Sequence, residues 1–498
     1  MDVLLVEDLS QQCLPSRSLA AVLQRASWRT RQMHFPGAPA EADNILAFAR
    51  RECPRLVVFS ILFGDHVADC LALITALRES GADAHVTMTG PLPAMAAAEL
   101  LDACPALDSI LRGEAEANIV QLAACADDPA RWQSIPGLAC RRNAVRTVGP
   151  QRVIVSNLDE LPDPAHPEGI PTWSGYGFAT VESSRGCYHA CTFCLPCAFY
   201  RALGVPYRQK SVERVVQEIE TLYRQGARLF LFDDEQFLAP GRARTSRVDA
   251  LARALVECGL GIAFTIKCRA DDVDAALFSR LQAMGLVRVY VGIESGCPAT
   301  LDVLGKGVTV ERNVEALATL DELGIVADFR SLLFHPWSTL ETIEADLGFM
   351  ERVLPYVSTG LDLREVEVYP GTPMAAHLQS EGRGAQVPGS LPYALADPRA
   401  ELLRRLNRIV FSPASIHADL RAALTEAWFS LALRRRFESP GFCERGRRLK
   451  DAARHINAVT VDIEREMLAF VRHGDLYDAD EVNARAAAWT MRVGRILI

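Results

Sequence analysis

Short apolar stretches alternate with longer amphipathic ones along much of this chain, and that alternation limits its fold more than any other feature. The stretch Leu56–Ser60 is almost wholly apolar, as is typical of a strand buried on both faces of a parallel sheet. Five predicted strands separated by helices indicate a doubly wound α/β domain over residues 1–127. Its predicted strands are Val3–Val6, Arg29–Phe35, Leu56–Ser60, Ala84–Thr89 and Ser109–Leu111.

The alternation stops after residue 127 and resumes at about residue 176. Residues 128–175 are rich in proline, which interrupts regular hydrogen bonding, and predict a connector with a small hairpin of Leu138–Arg142 and Ala144–Val148. Residues 176–375 contain six strand–helix units, which predict a partial barrel that is open on one side. We expect its strands at Thr180–Ser183, Arg228–Phe232, Ile262–Lys267, Val287–Ile293, Val326–Phe334 and Leu363–Val368.

Three cysteines, Cys187, Cys191 and Cys194, follow the first strand of the predicted barrel at a Cys-x3-Cys-x2-Cys spacing. Loops at the carboxyl ends of such strands carry the chemistry of α/β folds. Three thiolates from one loop can hold three irons of a [4Fe–4S] cluster and leave the fourth iron without a protein ligand. The alternative is a chance group of buried cysteines, since cysteine is common in cores and the chain has 14.

The residues around these cysteines favour the cluster. Phe193 directly precedes the third cysteine, and Arg185-Gly186 precedes the first. The loop resembles the motif of the radical S-adenosylmethionine (SAM) superfamily, in which the open iron binds the amino and carboxylate groups of SAM and an electron from the cluster cleaves SAM to a 5′-deoxyadenosyl radical. The resemblance implies that the three cysteines are the cluster ligands and catalytic centre, that Cys197 is not a ligand, and that a flavodoxin- or ferredoxin-type protein donates the electron.

Charged residues at the ends of later strands match the SAM contacts of that superfamily. The resemblance implies that Asp234 and Glu235 receive the α-ammonium of SAM, although a solvated acidic turn is an alternative. Arg269 can bind a carboxylate with two hydrogen bonds, either that of SAM or that of an acidic substrate. Glu294 and Ser295 stand between two glycines and resemble the motif that contacts the ribose of SAM.

The predicted sheet of the first domain ends in Gly113-Glu114-Ala115-Glu116, and the domain precedes a radical SAM loop. In this arrangement it resembles the cobalamin-binding domain of B12-dependent radical SAM enzymes, whose corrinoid lies over the carboxyl edge of the sheet. The resemblance implies that Ser60, Gly90, Gly113 and Glu114 line the cobalamin site. A generic nucleotide-binding or receiver-like domain is an alternative, but no Gly-x-Gly-x-x-Gly follows the first strand.

Two further features bear on the first domain. The Asp-x-His-x-x-Gly signature of proteins that ligate cobalt through histidine is absent, since Asp65 and His66 are adjacent. His66 is therefore either structural or an isolated cobalt ligand, and an unligated lower face is what methyl-transferring relatives favour. The N-terminal part of the methylthiotransferases, which carries a second cluster on three cysteines, is another alternative, but the surroundings of Cys13, Cys53 and Cys104 do not match it.

Residues 376–498 have helical apolar spacing and predict a mostly helical domain. By the resemblance this domain caps the barrel and carries part of the substrate pocket. No cysteine cluster recurs in it, so we expect no auxiliary iron–sulfur site. The predicted helices are Leu402–Ile409, Ala418–Leu433 and Ala452–Arg472.

The composition of the chain excludes some classes of binding partner and indicates the cellular compartment. A net charge of -9 gives no basic footprint for nucleic acid, and no apolar run approaches the ~20 residues that span a bilayer. The stretch Met1–Val6 has no basic region and predicts a strand rather than a signal peptide. The remaining cysteines are scattered, as in a reducing compartment. We therefore expect a cytoplasmic enzyme that acts on a small molecule and binds neither nucleic acid nor membrane.

The family resemblance implies a cobalamin-dependent C-methyltransferase that uses a [4Fe–4S] cluster, SAM and methylcobalamin on a natural-product or cofactor precursor. A cobalamin-dependent radical cyclase, ring-rearranging or oxidising enzyme is the first alternative, and a sensor without turnover is the second. Two bulky residues, His335 and Trp337, stand where relatives commonly have a glycine-rich turn. They shape the substrate site if they face the cavity, and a structural role is the alternative. Tyr369–Pro373 resembles the segment that packs on the adenine of SAM.

Overall fold

The computed structural model of this 498-residue chain describes most of it. Asp65, Cys13 and Ala144, all named above, lie outside the described residues, as does the loop after the first strand. The described ranges are 1–7, 14–64, 66–142, 145–148, 153–166, 169–385, 387–438, 443–473 and 479–495.

The first domain is built on a seven-stranded sheet. Its strands are β1 (Val3–Glu7), β2 (Thr30–His34), β3 (Leu56–Ser60), β4 (His85–Thr89), β5 (Ser109–Leu111), β6 (Leu138–Arg142) and β7 (Val145–Val148). They lie in the order β2-β1-β3-β4-β5-β6-β7, with β1 to β5 parallel and the β6–β7 hairpin antiparallel. The predicted doubly wound sheet is confirmed, and the predicted hairpin continues it.

Helices cover both faces of this sheet. Every residue of β1, β3 and β4 is buried, because apolar clusters form on each side. The helices are α1 (Leu14–Arg25), α2 (Pro39–Glu52), α3 (Val67–Glu79), α4 (Pro91–Met95), α5 (Ala97–Ala103) and α6 (Ile119–Ala124). The loops that follow β3, β4 and β5 meet at one edge of the sheet, where a ligand of this fold binds.

The strands of the second domain are β8 (Thr172–Trp173), β9 (Tyr176–Val181), β10 (Ser184–Gly186), β11 (Tyr207–Gln209), β12 (Ala227–Phe232), β13 (Ala263–Arg269), β14 (Leu286–Gly292), β15 (Val326–Asp328), β16 (Arg330–Phe334) and β17 (Asp362–Glu365). Six of them form a curved sheet in the order β15-β14-β13-β12-β9-β8, and β16 and β17 form a separate parallel pair. A β-bridge between Glu294 and Ser331 joins the two parts, which together form the expected partial barrel. The predicted strand Val326–Phe334 is interrupted at Phe329, whose side chain is buried in the core.

Alternating side chains of the barrel strands face the outer helices. Phe230 and Phe264 pack in the core beneath those helices, whereas their neighbours Leu229 and Ala263 lie on the inner face. The helices are α7 (Leu195–Ala202), α8 (Val212–Arg224), α9 (Ala243–Glu257), α10 (Ala275–Met284), α11 (Pro298–Val303), α12 (Val310–Glu322), α13 (Leu340–Val353) and α14 (Pro373–Ser380).

The last domain is helical, as predicted. One of its helices fills the barrel at the amino ends of the strands, which we call the lower end. Its helices are α15 (Pro398–Val410), α16 (Ile416–Phe437), α17 (Cys443–His473) and α18 (Ala479–Gly494), the last of which the sequence did not suggest. Phe429 and Leu433 of α16 pack against Leu229 and Ala263 on the inner face. Arg436 donates to the carbonyl of Ile262 at 2.9 Å, at the amino end of β13. The barrel is therefore closed below.

Two predictions from the sequence concern the whole chain, namely its domain limits and its lack of a membrane-spanning segment. The domain limits at residues 127, 175 and 375 remain predictions. Among the described residues, no helix combines the length and the apolar character needed to cross a bilayer.

Candidate functional site

The segment with the three cysteines lies at the carboxyl end of the barrel. It comprises residues 183–194, contains β10 and ends directly before α7, and we call it the cluster loop. The antiparallel pair β10–β11 fixes its start, and Gly186 has a φ of +84° there. A Cβ at Gly186 would lie 2.2 Å from the carbonyl oxygen of Pro206, so this close approach requires glycine. Cys187 and Cys191 are buried and Cys194 is half-buried at the start of α7.

Neighbouring segments hold the middle of this loop through Thr192. Its backbone N–H donates to the carbonyl of Leu304 at 3.0 Å and its hydroxyl to that of Val303 at 2.7 Å. Its own carbonyl accepts from the N–H of Met374 at 3.0 Å. The loop is therefore fixed by two other elements of the barrel, as a preorganised ligand-binding loop has to be.

The donor chemistry of the loop fits an iron–sulfur cluster. A hydrogen bond from the Cys197 thiol lowers the pKa of Cys187 against the effect of burial. Burial raises the pKa of Cys191, which Lys306 and Arg269 oppose. Within the described ranges no three Cys, His, Asp or Glu side chains converge on a single metal ion. A cluster does not need such convergence, because each thiolate binds a different iron.

The carboxylates of Asp234 and Glu235, which follow β12, have different hydrogen-bond partners. Asp234 is fully buried and accepts hydrogen bonds from the backbone N–H and hydroxyl of Ser183, at 2.7 and 2.5 Å, and from the hydroxyl of Ser184 at 2.9 Å. Glu235 accepts one hydrogen bond at Oε2, from the N–H of Gly186 at 2.8 Å. Burial raises the pKa of Asp234 to about 6 and that of Glu235 to about 7. Asp234 thus braces the cluster loop, whereas Glu235 lies beside it.

Arg269 lies directly against the cluster loop at the end of β13. Its Nη1 is 3.3 Å from the sulfur of Cys191, and its Nε donates to Asp271 Oδ1 at 2.9 Å. Its Nη2 donates to the carbonyl of Lys306. The guanidinium is almost wholly buried, so its orientation is set by these three contacts.

Glu294 adopts a left-handed backbone conformation, with a φ of +65°. This conformation costs a residue other than glycine about 1–3 kcal/mol and is often found at functional sites. Lys306 Nζ donates to Glu294 Oε1 at 3.1 Å and to the carbonyl of Gly292 at 3.0 Å. The N–H of Leu332 donates to the carbonyl of Glu294 at 2.7 Å. These contacts hold the strained residue at the rim of the barrel.

The hydroxyl of Ser295, whose contact with the ribose of SAM remains a prediction, binds a carboxylate of α13. It donates to Asp346 Oδ1 at 2.6 Å, and the N–H of Gly296 donates to the same oxygen at 2.6 Å. A Cβ at Gly296 would lie 2.0 Å from Phe349. Ser295 and Gly296 therefore fasten the turn after Glu294 to α13.

The two bulky residues after β16 have structural partners. His335 is buried, its Nε2 lies 3.3 Å from Thr300 Oγ1, and burial lowers its pKa to about 4. The Trp337 indole donates to Glu381 Oε1 at 2.9 Å and stacks on His377 with a centroid distance of 4.5 Å. The structural alternative therefore accounts for both residues.

The segment at Tyr369 contacts the first domain. The Tyr369 and Phe63 rings are 6.1 Å apart, and a Cβ at Gly371 would lie 2.3 Å from Met95 Cε. The edge of the first sheet therefore packs on the rim of the barrel.

A polar stripe runs down one face of the first sheet from that edge. Ser60 is buried, and its hydroxyl has no hydrogen-bond partner among the described residues. It is in register with Thr89, and Thr87 donates to the carbonyl of Ser109 at 3.1 Å. His85 Nε2 lies 2.7 Å from Ser109 Oγ. An unpaired buried hydroxyl above a polar stripe fits the predicted corrinoid with its polar tail.

The other predicted cobalamin residues are engaged with protein groups. A Cβ at Gly90 would lie 2.0 Å from the carbonyl oxygen of Ile61, and one at Gly113 would lie 2.2 Å from that of Val153. Close backbone contacts thus already require these two glycines. The Glu114 carboxylate binds Arg208 at 2.6 Å and Arg185 at 3.3 Å, and these cations lower its pKa against the effect of burial. The corrinoid contacts of these three residues remain predictions.

The alternatives for the first domain involve residues that lie apart. Cys53 is exposed after α2, whereas Cys104 is buried with its sulfur 3.8 Å from Thr75 Oγ1. His66 is half-exposed, with Nδ1 3.6 Å from Asp69 Oδ2. In the described part of the chain, therefore, these residues do not form a second cluster site.

Two features of the site were missed by the sequence interpretation. Lys306 is the buried partner of Glu294, and a lysine between two glycines was the available signal. Arg330 and Arg364 project from the inner face of the barrel, and charges within apolar strands could have indicated them.

Comparison with protein families gives two matches. The model of the B12 binding domain matches residues 13–123, and that of the Radical SAM superfamily matches residues 181–349. The matches fall within the first and second domains as the motifs predicted.

Comparison with individual proteins agrees with these two family matches. The chain is 27% identical over 311 residues to the "Uncharacterized methyltransferase PH0819" of Pyrococcus horikoshii, covering 61% of this chain and 65% of that protein. It is 28% identical over 261 residues to the "Anaerobic magnesium-protoporphyrin IX monomethyl ester cyclase" of Rubrivivax gelatinosus, covering 49% and 45%. The chain thus spans less than two thirds of either relative.

A solved structure has the same fold. The cobalamin-dependent S-adenosylmethionine radical enzyme OxsB, with aqua-cobalamin and S-adenosylmethionine bound, superposes with a TM-score of 0.74 at 17% identity, covering all of this chain and 79% of that one.

Proposed function

We propose that this chain, which belongs to the radical SAM enzymes that carry a B12-binding domain, is a cobalamin-dependent C-methyltransferase for a small natural-product or cofactor precursor. One observation carries the proposal: Arg185, two residues before the first cluster cysteine, is buried against Glu114 and Glu116 of the first domain. Ligands of the first domain bind at this edge of its sheet. The contact therefore brings the two predicted cofactor sites to one interface, as methyl transfer to a carbon between them requires.

Each chain residue around the cluster then has a role. Cys187, Cys191 and Cys194 hold the [4Fe–4S] cluster, and Glu235 rather than Asp234 binds the ammonium of SAM, because the Asp234 carboxylate is used within the loop. When bound, the cluster and SAM supply a carbon-centred radical and the corrinoid supplies a methyl group. The residues themselves bind, orient and shield these groups from water.

The other charged residues complete the SAM site. Arg269 binds the carboxylate of SAM, since its guanidinium is held 3.3 Å from the sulfur of Cys191. Glu294 accepts from the ribose hydroxyls, and Lys306 keeps its carboxylate in place. Ser295 acts as a positioning residue through Asp346.

The cobalamin site lies over the carboxyl edge of the first sheet, at Ser60, Gly90 and Gly113. The unpaired hydroxyl of Ser60 supports a polar contact with the corrinoid. Glu114 secures the first domain to the cluster loop beneath that site. A flavodoxin- or ferredoxin-type protein supplies the electron, and the scattered cysteines of the sequence suit the reducing cytoplasm.

A second candidate function is cobalamin-dependent radical cyclisation, rearrangement or oxidation without methyl transfer. The similarity to the magnesium-protoporphyrin ester cyclase of Rubrivivax gelatinosus supports it. The same cluster, SAM and corrinoid residues would serve this reaction, so the two candidates differ in the fate of the methyl group.

The deciding experiment is anaerobic reconstitution with iron, sulfide and hydroxocobalamin, followed by incubation with methyl-labelled SAM and candidate substrates. A methyltransferase moves the label into product. Formation of 5′-deoxyadenosine with unlabelled product supports the second candidate, and a protein that binds no corrinoid refutes both. The Cys191→Ala variant is the matched control, since it should retain corrinoid and lose SAM cleavage.

A further inference from the structure

Three arginines share one carboxylate on the inner face of the barrel. Arg364 Nε is 2.7 Å from Asp362 Oδ1, and Arg330 Nε and Arg421 Nη1 are 3.4 and 3.6 Å from Asp362 Oδ2. The cations come from β16, β17 and α16, so the group forms only in the folded chain. We call these four residues the arginine cluster.

The arginine cluster lies at the level of the predicted SAM site. Arg330 directly precedes Ser331, which forms the β-bridge with Glu294. In the next strand pair Arg330 is in register with Asp362, and Leu332 with Arg364. The cluster therefore stands beside Glu294 in the barrel, where a substrate that meets SAM has to bind.

The arginine cluster has an excess of two positive charges. Asp362 is the single carboxylate that forms an ion pair with these arginines in the described part of the chain. Nearby inner-face charges are balanced in pairs, Lys267 with Asp233 and Arg288 with Asp328. This local excess of positive charge is opposite in sign to the net charge of the whole chain, which is -9.

Two of these arginines are open to solvent within the barrel. The side chains of Arg330 and Arg364 are 55% and 41% exposed, whereas that of Asp362 is 11% exposed. The Arg330 guanidinium also lies over the Tyr290 ring, 5.9 Å from its centroid. Asp362 thus orients the cations, and their exposed N–H donors are accessible to oxyanions, which guanidinium groups bind by paired hydrogen bonds.

We propose that Arg330 and Arg364 bind an oxyanion of the substrate, a carboxylate or a phosphate, and hold the substrate beside SAM. Arg421 adds charge from below and Asp362 fixes the geometry. This inference rests on the proposed radical SAM function and adds the chemical class of its substrate.

The test uses the reconstituted holoenzyme saturated with SAM, so that Arg269 is occupied. Inorganic phosphate and acetate are titrated separately by calorimetry at low ionic strength. We expect one saturable site for at least one anion, which Arg330→Gln and Arg364→Gln weaken by about tenfold or more through loss of a charged donor. Tighter phosphate binding indicates a phosphorylated substrate, and acetate binding of equal strength indicates a carboxylate.

Two further variants keep the test decisive. Asp362→Asn removes the competing negative charge but keeps a carbonyl oxygen that accepts hydrogen bonds from the arginines, so it should tighten anion binding, a change opposite in sign to that of the arginine variants. Arg465→Gln, which removes an ion pair with Glu351 on another surface, should leave binding unchanged. Absence of a saturable site, or equal affinity in the wild type and the arginine variants, overturns the proposal.

The same samples separate this inference from the proposed function. The corrinoid spectrum and the release of 5′-deoxyadenosine from SAM are measured before each titration. Normal SAM cleavage without an anion site refutes the arginine cluster alone. Anion binding that depends on Arg330, in a protein that does not bind corrinoid or cleave SAM, retains the anion site and refutes the proposed function together with its assignment as a substrate site.

Discussion

Arg185 of the cluster loop and Glu116 of the first domain form an ion pair of 2.8 Å between side chains that are only 8% and 7% exposed. Arg185 also binds Glu182 of its own domain at 2.9 Å. Removing one partner of a buried ion pair is costly in folding free energy, because the other charge then stays buried without an opposite charge beside it. This contact therefore couples the position of the cluster loop to that of the first domain.

Replacing Arg185 with glutamine should destabilise the protein by about 3–5 kcal/mol, because it leaves the buried Glu116 carboxylate without its cation, whereas Glu114 keeps Arg208. We expect the first domain to detach from the cluster loop, with faster proteolysis between the domains and lower corrinoid occupancy after reconstitution. Urea denaturation and limited proteolysis measure these effects. The matched control, Arg29→Gln, removes an exposed ion pair with Asp2 and should change neither. Unchanged proteolysis of Arg185→Gln would show that the contact does not couple the domains.

Alanine at Cys187, Cys191 or Cys194 should abolish the iron–sulfur absorbance of the reconstituted protein. Wild-type protein should hold about four irons per chain, as a [4Fe–4S] cluster does. Cys197→Ala should keep the cluster, because that residue is predicted not to be a ligand. Iron analysis and absorbance spectra distinguish these outcomes, and loss of the cluster from Cys197→Ala would assign it as a ligand. Cys268→Ala, at a buried cysteine on β13, is the control for packing.

We expect Glu235→Gln to weaken SAM binding and Asp234→Asn to lower the stability of the protein. Loss of the Glu235 charge should weaken SAM binding by about tenfold or more while the fold is kept, because one charged hydrogen bond is removed. Asp234→Asn replaces an acceptor of three hydrogen bonds and should lower stability by about 1–3 kcal/mol. Equilibrium binding of SAM and thermal unfolding measure the two effects. Equal SAM affinity in wild type and Glu235→Gln would remove Glu235 from the site.

The local pattern of the sequence was enough to predict the two α/β domains. Strands such as Leu56–Ser60 are apolar throughout because helices cover both faces of the sheet, and this pattern is visible in a few residues. The spacing of Cys187, Cys191 and Cys194 is equally local, since one loop supplies all three thiols.

The roles of individual carboxylates were not predictable in the same way. Asp234 and Glu235 are neighbours in sequence, but Ser183 and Ser184, about fifty residues earlier, determine which one is used by the loop. Glu114 pairs with Arg208 across 94 residues. Such partners are set by the packing of domains, which periodicity does not encode.

Gly296→Ala should disturb the SAM site from a distance. The added Cβ would lie 2.0 Å from Phe349, a contact that forces the turn after Glu294 away from α13. Overpacking of this kind costs about 1–3 kcal/mol or more. We expect lower thermal stability and weaker SAM binding, measured by calorimetry. Gly261→Ala, where a Cβ would meet no heavy atom within 4 Å, should behave as wild type, and equal behaviour of both variants would contradict the packing explanation.

A buried glutamate between α15 and α17 should make stability depend on pH. Glu464 is fully buried; Asn407 donates to its Oε1, and its Oε2 has no partner among the described residues. Burial raises the pKa of Glu464 from 4.5 to about 8. The folded protein therefore keeps this proton up to about pH 8, whereas the unfolded chain releases it at about pH 4.5. The contribution of Glu464 to stability is thus greatest at low pH and falls as pH rises through this window, by at most about 5 kcal/mol.

Glu464→Gln keeps the shape of the side chain and removes its titration. Its melting temperature should fall less than that of the wild type between pH 5.5 and pH 8, so the variant should be the more stable protein at pH 8. Glu466→Gln, on the same helix but with a side chain 49% exposed, should keep the wild-type pH dependence. Calorimetric melts at several pH values compare the three proteins. Parallel curves for wild type and Glu464→Gln would mean that Glu464 is ionised in the folded state, with its charge solvated by water that enters between the two helices.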